Sequence, residues 1–288
     1  MACAPCALAQ KPGPGAVVAR VADQRLEATL AAAQASALSL KSAAALVIDQ
    51  AGNRVLYAKN VDAVVPVASI TKLMTAIVVL DSGAPLEEAV VIGDADVDEI
   101  KHTRSRLKLG TTLTRTELLR LALMASENRA AAALARVHPA GARAFVAAMN
   151  QKAAELEMWH TRYVDSTGLS SDNVSTAHDL ARLVATAYRY PLIRKSTTLP
   201  AYAVTLPNGR LVQYRNSNGL VRSGNWEIGL SKTGYISEAG RCLVMQSRIA
   251  SMPVVIVLLD SWGKNTRLGD ANRIRKWMES MFSRHPAG

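Results

Sequence analysis

Ser69-Ile70-Thr71-Lys72, Ser126-Glu127-Asn128 and Lys232-Thr233-Gly234 occur along the chain in that order, more than fifty residues apart and then about a hundred. The fold must bring three distant segments together if these polar side chains are to share one site. A serine hydroxyl is a poor nucleophile until a base takes its proton, and a lysine three positions further on a helix lies one turn away on the same face. The spacing therefore describes a serine acyl-transfer site. Short patterns of this kind recur by chance, as they do here at Ser105-Arg106-Leu107-Lys108, Ser171-Asp172-Asn173 and Ser223-Gly224-Asn225. Context separates them. Ser69 opens the apolar run Leu73 to Leu80, which predicts a buried helix, whereas Ser105 lies among Lys101, His102, Arg104, Arg106 and Lys108 in what reads as a solvated loop.

Apolar and turn patterns place the remaining elements. Residues 44–49 and 54–58 flank Gln50-Ala51-Gly52-Asn53 and read as a β-hairpin. Residues 241–245 and 253–259 are β-rich, and a last helix is expected from about Gly269 to Met281. Between these ends the pattern is mainly helical, with Ser126-Glu127-Asn128 at a break between two helices, a helix over 142–156, and another opened by Thr176 with Asp179. Strands at both ends with helices between them predict an α+β fold whose sheet draws on both termini. The expected division is a signal remnant and linker over 1–19, a sheet lobe from 20–80 and 200–288, and a helical lobe over 81–199. An Ala/Leu-rich leading helix is expected within 20–42.

Composition narrows the function classes. At 288 residues, 49% apolar and 20% charged, the chain can bury a substantial core. Its net charge of +11 attracts polyanions. No basic stripe interleaved with aromatics points to nucleic acid, which leaves wall polymers and anionic surfaces. No stretch reaches the length of apolar residues needed to cross a bilayer, so no transmembrane anchor is expected. Cys6-Ala7-Leu8-Ala9 reads as the end of an export signal. Cys242 reads as a buried small hydrophobe, and the five histidines are scattered, so neither a metal site nor a cofactor is expected.

These residues resemble the low-molecular-mass penicillin-binding proteins, serine DD-peptidases related to class A β-lactamases, and within them the D-alanyl-D-alanine endopeptidases of the penicillin-binding protein 7 type. The resemblance covers about residues 40–280 and rests on Val67 to Thr75, Leu123 to Ala130, Ser166-Thr167-Gly168-Leu169, and Lys232-Thr233-Gly234 through Leu243. It implies an antiparallel sheet flanked by helices with a helical lobe inserted between Ser69 and Lys232. It further implies Ser69 as nucleophile, Lys72 as its base with a pKa lowered by burial and by Lys232, and Ser126 as proton relay to the leaving amine. Asn128 would hold the acyl-side amide and Lys232 and Thr233 the leaving-side carboxylate, with Gly234 also among the substrate-binding residues. The backbone N–H groups of Ser69 and Tyr235 would form the oxyanion hole, and Arg267 would add positive field. Peptidoglycan peptides are the implied substrates, β-lactam antibiotics the covalent inhibitors, and the periplasm the location.

Two departures from the family pattern stand out. Many members read Lys-Thr-Gly-x-Thr, but Ile236 replaces the last hydroxyl here. The chain also ends soon after the last helix, without the second domain and membrane-binding helix of many carboxypeptidases. Carboxypeptidase activity stays open at this point. A β-lactamase is disfavoured because no Glu-x-x-Leu-Asn follows Asn128 at a suitable distance, Glu155 and Glu157 lying in a helical pattern. A catalytically silent wall-binding protein is disfavoured by the intact Ser69, Lys72, Ser126 and Lys232.

Overall fold

The computed structural model describes residues 38–284. The export-signal reading, with Cys3 and Cys6, and most of the expected leading helix lie outside the described residues. Five strands form one antiparallel sheet: β1 (Ser42–Asp49), β2 (Arg54–Lys59), β3 (Glu227–Ile236), β4 (Gly240–Ile249) and β5 (Met252–Ser261). Their spatial order is β2-β1-β5-β4-β3, so the N-terminal hairpin pairs with the C-terminal strands. Successive strand residues face opposite sides, yet Val254 through Leu259 are all buried. Both faces of the sheet centre are therefore covered, which is why this strand reads as a continuous apolar run.

The helices follow from the same patterning. They are α1 (Thr71–Asp81), α2 (Arg115–Met124), α3 (Asn128–Arg136), α4 (Gly141–Glu155), α5 (Ala177–Ala187), α6 (Pro191–Thr198), α7 (Gly219–Ser223) and α8 (Thr266–Arg284). Helix α1 is buried from Thr71 to Val79, as an all-round apolar helix must be. Thr114 caps α2 in a capping box with Glu117, and Thr176 caps α5 by accepting from the Asp179 amide. Helices α5 and α8 pack on the sheet. The buried Asp270 of α8 accepts from the amide and hydroxyl of Ser42 at 2.7 and 2.6 Å, fastening the first strand to the last helix. Cys242, opposite Gly234 in β4, is fully buried, and burial pushes its thiol up to about 11, so it packs as a small hydrophobe.

Candidate active site

Ser69 sits in a single 3-10 turn, Ala68–Ile70, that leads directly into α1. The turn is held in an unusual shape. Ala68 has φ +48°, a left-handed conformation that costs an alanine about 1–2 kcal/mol and persists only where its surroundings enforce it. Those surroundings are identifiable. Gly168, at φ +79°, lies so close that a Cβ there would stand 2.0 Å from the Ala68 carbonyl oxygen. Asn173, fully buried, donates to Thr71 Oγ1 at 3.1 Å and accepts from the Val164 amide at 2.8 Å, while its own carbonyl receives the Val67 amide. The triplet Ser171-Asp172-Asn173, a chance motif in sequence, thus contributes an asparagine that braces the Ser69 turn.

Lys72, on the first turn of α1 and 0% exposed, places Nζ 2.9 Å from Ser69 Oγ, 2.8 Å from Asn128 Oδ1 and 2.5 Å from the Thr167 carbonyl oxygen. A neutral amine has two N–H donors and one lone pair. The amide and carbonyl oxygens can only accept, so they take the two donors and leave the lone pair facing the Ser69 hydroxyl. Burial lowers Lys72 to about 8, against the opposing pull of Asp165, Glu127 and Asp98.

Ser126 occupies the break between α2 and α3 with φ +60°, and its Oγ accepts from Lys232 Nζ at 2.9 Å. Lys232, Thr233 and Gly234 lie on β3, the outer strand of the sheet. Lys232 is buried and also donates to the Thr233 carbonyl at 2.8 Å, which leaves a third N–H for an incoming acceptor. Gly234 permits the close approach of this strand to the Ser69 turn: a Cβ there would lie 2.9 Å from the Val67 carbonyl and 3.2 Å from the Ser69 amide nitrogen. Arg267, on the first turn of α8, reaches the Gly234 carbonyl at 3.4 Å, and its buried Nε has no hydrogen-bond partner among the described residues. A cavity of about 420 Å³ is lined by Ser69, Ser126, Asn128, Thr233, Gly234, Tyr235 and Arg267. Lys72 and Lys232 meet it through their bonds to Ser69 and Ser126.

Lys72 is faced by the carboxylates Asp98, Glu127 and Asp165, and Lys232 by the cations Lys72 and Arg267, so the two lysines disfavour charge on one another. Burial and those two cations hold Lys232 well below its ordinary value.

Several contributors carry no sequence signal of their own. Thr103, in the segment read as a solvated loop, receives the Asn128 Nδ2 donor at 3.0 Å and lines the cavity with Lys101. Ser217 is bonded to Thr233 Oγ1 at 2.7 Å. Thr167, within the string Ser166 to Leu169, acts through its carbonyl, and Asp165 shapes that turn by accepting the Thr167 and Gly168 amides at 2.6 and 2.7 Å. Ile236 lines the cavity and is buried, giving it an apolar wall. Ser105, by contrast, donates to Glu127 Oε1 at 2.6 Å, and no hydrogen bond joins it to a lysine among the described residues.

A serine in contact with a buried lysine, at the junction of a helix and a sheet edge, is the arrangement of a serine acyl-transfer hydrolase. Residues 30–263 match the family described as D-alanyl-D-alanine carboxypeptidase. The chain is 50% identical over 243 residues to a D-alanyl-D-alanine endopeptidase of Pseudomonas aeruginosa, covering 84% of this chain and 78% of that one. With the Escherichia coli D-alanyl-D-alanine endopeptidase it shares 45% identity over 260 residues, 90% of this chain and 84% of the relative. Among solved structures, the Streptomyces K15 DD-transpeptidase superposes with a TM-score of 0.77 at 27% identity, covering 83% of this chain and 97% of that one. The chain belongs to the D-alanyl-D-alanine carboxypeptidase family, peptidase family S11, and is a serine DD-peptidase.

Proposed function

We propose that this enzyme hydrolyses D-alanyl cross-links of peptidoglycan through a Ser69 acyl-enzyme. The observation that carries the mechanism is the Lys72 environment, in which two fixed acceptors turn the amine lone pair toward Ser69. As Ser69 Oγ bonds to the substrate carbonyl carbon, its proton passes to Lys72 Nζ. The amides of Ser69 and Tyr235 receive the oxyanion, a type of contact whose loss typically costs about 10²–10³ in rate. The C–N bond then breaks, and the leaving amine takes a proton by way of Ser126. Water repeats the sequence in reverse and releases the acyl chain. Asn128 supports the acyl-side amide, while Lys232, Thr233 and Arg267 hold the leaving-side carboxylate.

The two lysines disfavour charge on one another. A substrate carboxylate at Lys232 stabilises its ammonium, and that ammonium drives Lys72 toward the neutral, basic form. Binding thus prepares the base. Lys232→Ala is therefore expected to lower kcat/KM on substrates with a free carboxylate about tenfold or more beyond its effect on amidated analogues, as loss of a charged hydrogen bond predicts. Equal loss on both classes would assign Lys232 to chemistry alone.

Cross-link cleavage is favoured because endopeptidase relatives stand at 38–50% identity, whereas carboxypeptidase relatives stand at 26–30%. The periplasm is the compartment that holds this substrate, and the charge of +11 supports a salt-sensitive attraction to the anionic wall. Penicillins are expected to acylate Ser69. The test is digestion of purified muropeptides with products identified by mass: dimers should become monomers. Release of D-alanine from uncross-linked pentapeptide with dimers intact would make the enzyme a carboxypeptidase.

A further inference from the structure

The amide of Asn128 serves Lys72 only one way round. With Oδ1 toward the amine it accepts an N–H and leaves the lysine lone pair to Ser69, whereas Nδ2 in that place would compete for the lone pair. What selects the orientation lies on the other side of Asn128, in the loop formed by residues 98–103. Asn128 Nδ2 donates to Thr103 Oγ1 at 3.0 Å. The Thr103 hydroxyl has a single hydrogen, and it goes to Asp98 Oδ2 at 2.6 Å. A carboxylate can only accept, so Thr103 must donate to it and can meet Asn128 only as an acceptor. Every hydrogen from Ser69 through Lys72, Asn128 and Thr103 then points toward Asp98.

The far end of this chain is firmly held. Asp98 also accepts the amides of Ile100, Lys101 and Thr103 at 2.8, 3.0 and 2.8 Å. Against the opposing effect of burial, these amides and the Thr103 hydroxyl keep its carboxyl below the usual range, so it stays ionised where Lys72 titrates. Within this wrap His102 has φ +51°, a conformation that a residue other than glycine keeps only where its surroundings enforce it. Lys101 pairs with Glu238 on the turn after β3, which gives the same loop a second attachment.

We propose that Asp98 and Thr103 are positioning residues for the general base: they fix the Asn128 amide so that Oδ1 faces Lys72 and the lysine lone pair faces Ser69. The assignment rests on the Ser69 acyl-enzyme reading but not on the choice between endopeptidase and carboxypeptidase, because acylation precedes that distinction.

The test follows the saturating rate constant of penicillin acylation against pH. Thr103 is exposed, and Thr103→Val keeps its shape while removing the hydroxyl that orients Asn128. The plateau rate should fall about tenfold or more, the order expected when a hydrogen bond to a charged group is lost. The midpoint of the profile, set at about 8 in the wild-type protein with Asp98, Glu127, Asp165 and Lys232 around Lys72, should move down by about one pH unit, because the Lys72 ammonium loses a fixed acceptor. Thr103→Ser, which keeps the hydroxyl, should restore both quantities. Glu238→Gln, which releases the loop at its second attachment, should leave the plateau within about twofold, as expected of an exposed ion pair. A wild-type plateau and midpoint in Thr103→Val would overturn the positioning role. Equal losses in Thr103→Val, Thr103→Ser and Glu238→Gln would overturn it too, since the loop would then need only to be in place. A wild-type protein that takes up no penicillin at all would instead overturn the acyl-enzyme reading, and the positioning role with it.

Discussion

Ser69→Ala is expected to take up no fluorescent penicillin, while Ser105→Ala labels like the wild-type protein. The reason is the base, not the serine. Ser69 Oγ meets Lys72 Nζ at 2.9 Å, whereas the Ser105 hydroxyl is spent on Glu127. On the wild-type enzyme the label should survive for minutes or longer, because hydrolysis of a penicillin ester needs a carboxylate free to position water. The carboxylates around Lys72 are engaged elsewhere. Asp165 accepts the Thr167, Gly168 and Ser170 amides, Asp98 accepts those of Ile100, Lys101 and Thr103, and Glu127 accepts from Ser105 and the Arg129 amide. Glu155 and Glu157 pair with Lys152 and Arg182 and line no part of the catalytic cavity. Gel fluorescence after a chase with unlabelled penicillin measures both points. Label retained in Ser69→Ala would move the nucleophile elsewhere, and rapid turnover by the wild-type protein would make it a β-lactamase.

How much of this was legible in the chain depends on whether the signal was local. The hairpin around Gln50 to Asn53, the buried helix after Ser69 and the break at Ser126 are written in apolar period, turn residues and caps, and the structure has each of them. Helix α6 shows the limit. It spans only eight residues, too few for a period to declare itself, although Pro191 stands at its first turn where proline is favoured. In the site, Ser69, Lys72, Ser126, Asn128 and Lys232 could be found because each sits in a spaced motif. Asn173 and Ser217 could not, since they act through pairings with residues far along the chain, and Thr167 stood in a recognised string that gave no sign of its carbonyl contact with Lys72. Gly168 was visible as part of a string, but its necessity appears only where Ala68 lies against it. The surroundings of the two lysines were equally out of reach: Asp98, Glu127 and Asp165 face one and Arg267 the other, a difference that spacing does not encode.

Lys72→Met is expected to lower penicillin acylation by about 10²–10⁴-fold, the usual loss when a general base is removed, while the apolar side chain keeps α1 packed. The pH dependence gives the same assignment a second readout. With Lys72 at about 8, the neutral form that accepts the Ser69 proton falls about tenfold for each pH unit below that value, so wild-type acylation should climb through neutrality and level off above pH 8. The same depression affects stability. Between about 8 and the ordinary lysine value of 10.5 the unfolded chain binds the proton that the folded protein has released, so this group makes folding more favourable as pH rises through that window. The full change is about 3 kcal/mol at roughly 1.4 kcal/mol per pH unit. Lys72→Met removes it and relieves Lys232 of a neighbouring cation, so denaturation midpoints of the variant should vary less between pH 8 and 10.5 than those of the wild-type protein. A folded variant that still acylates with the wild-type pH profile would show that another group takes the proton from Ser69.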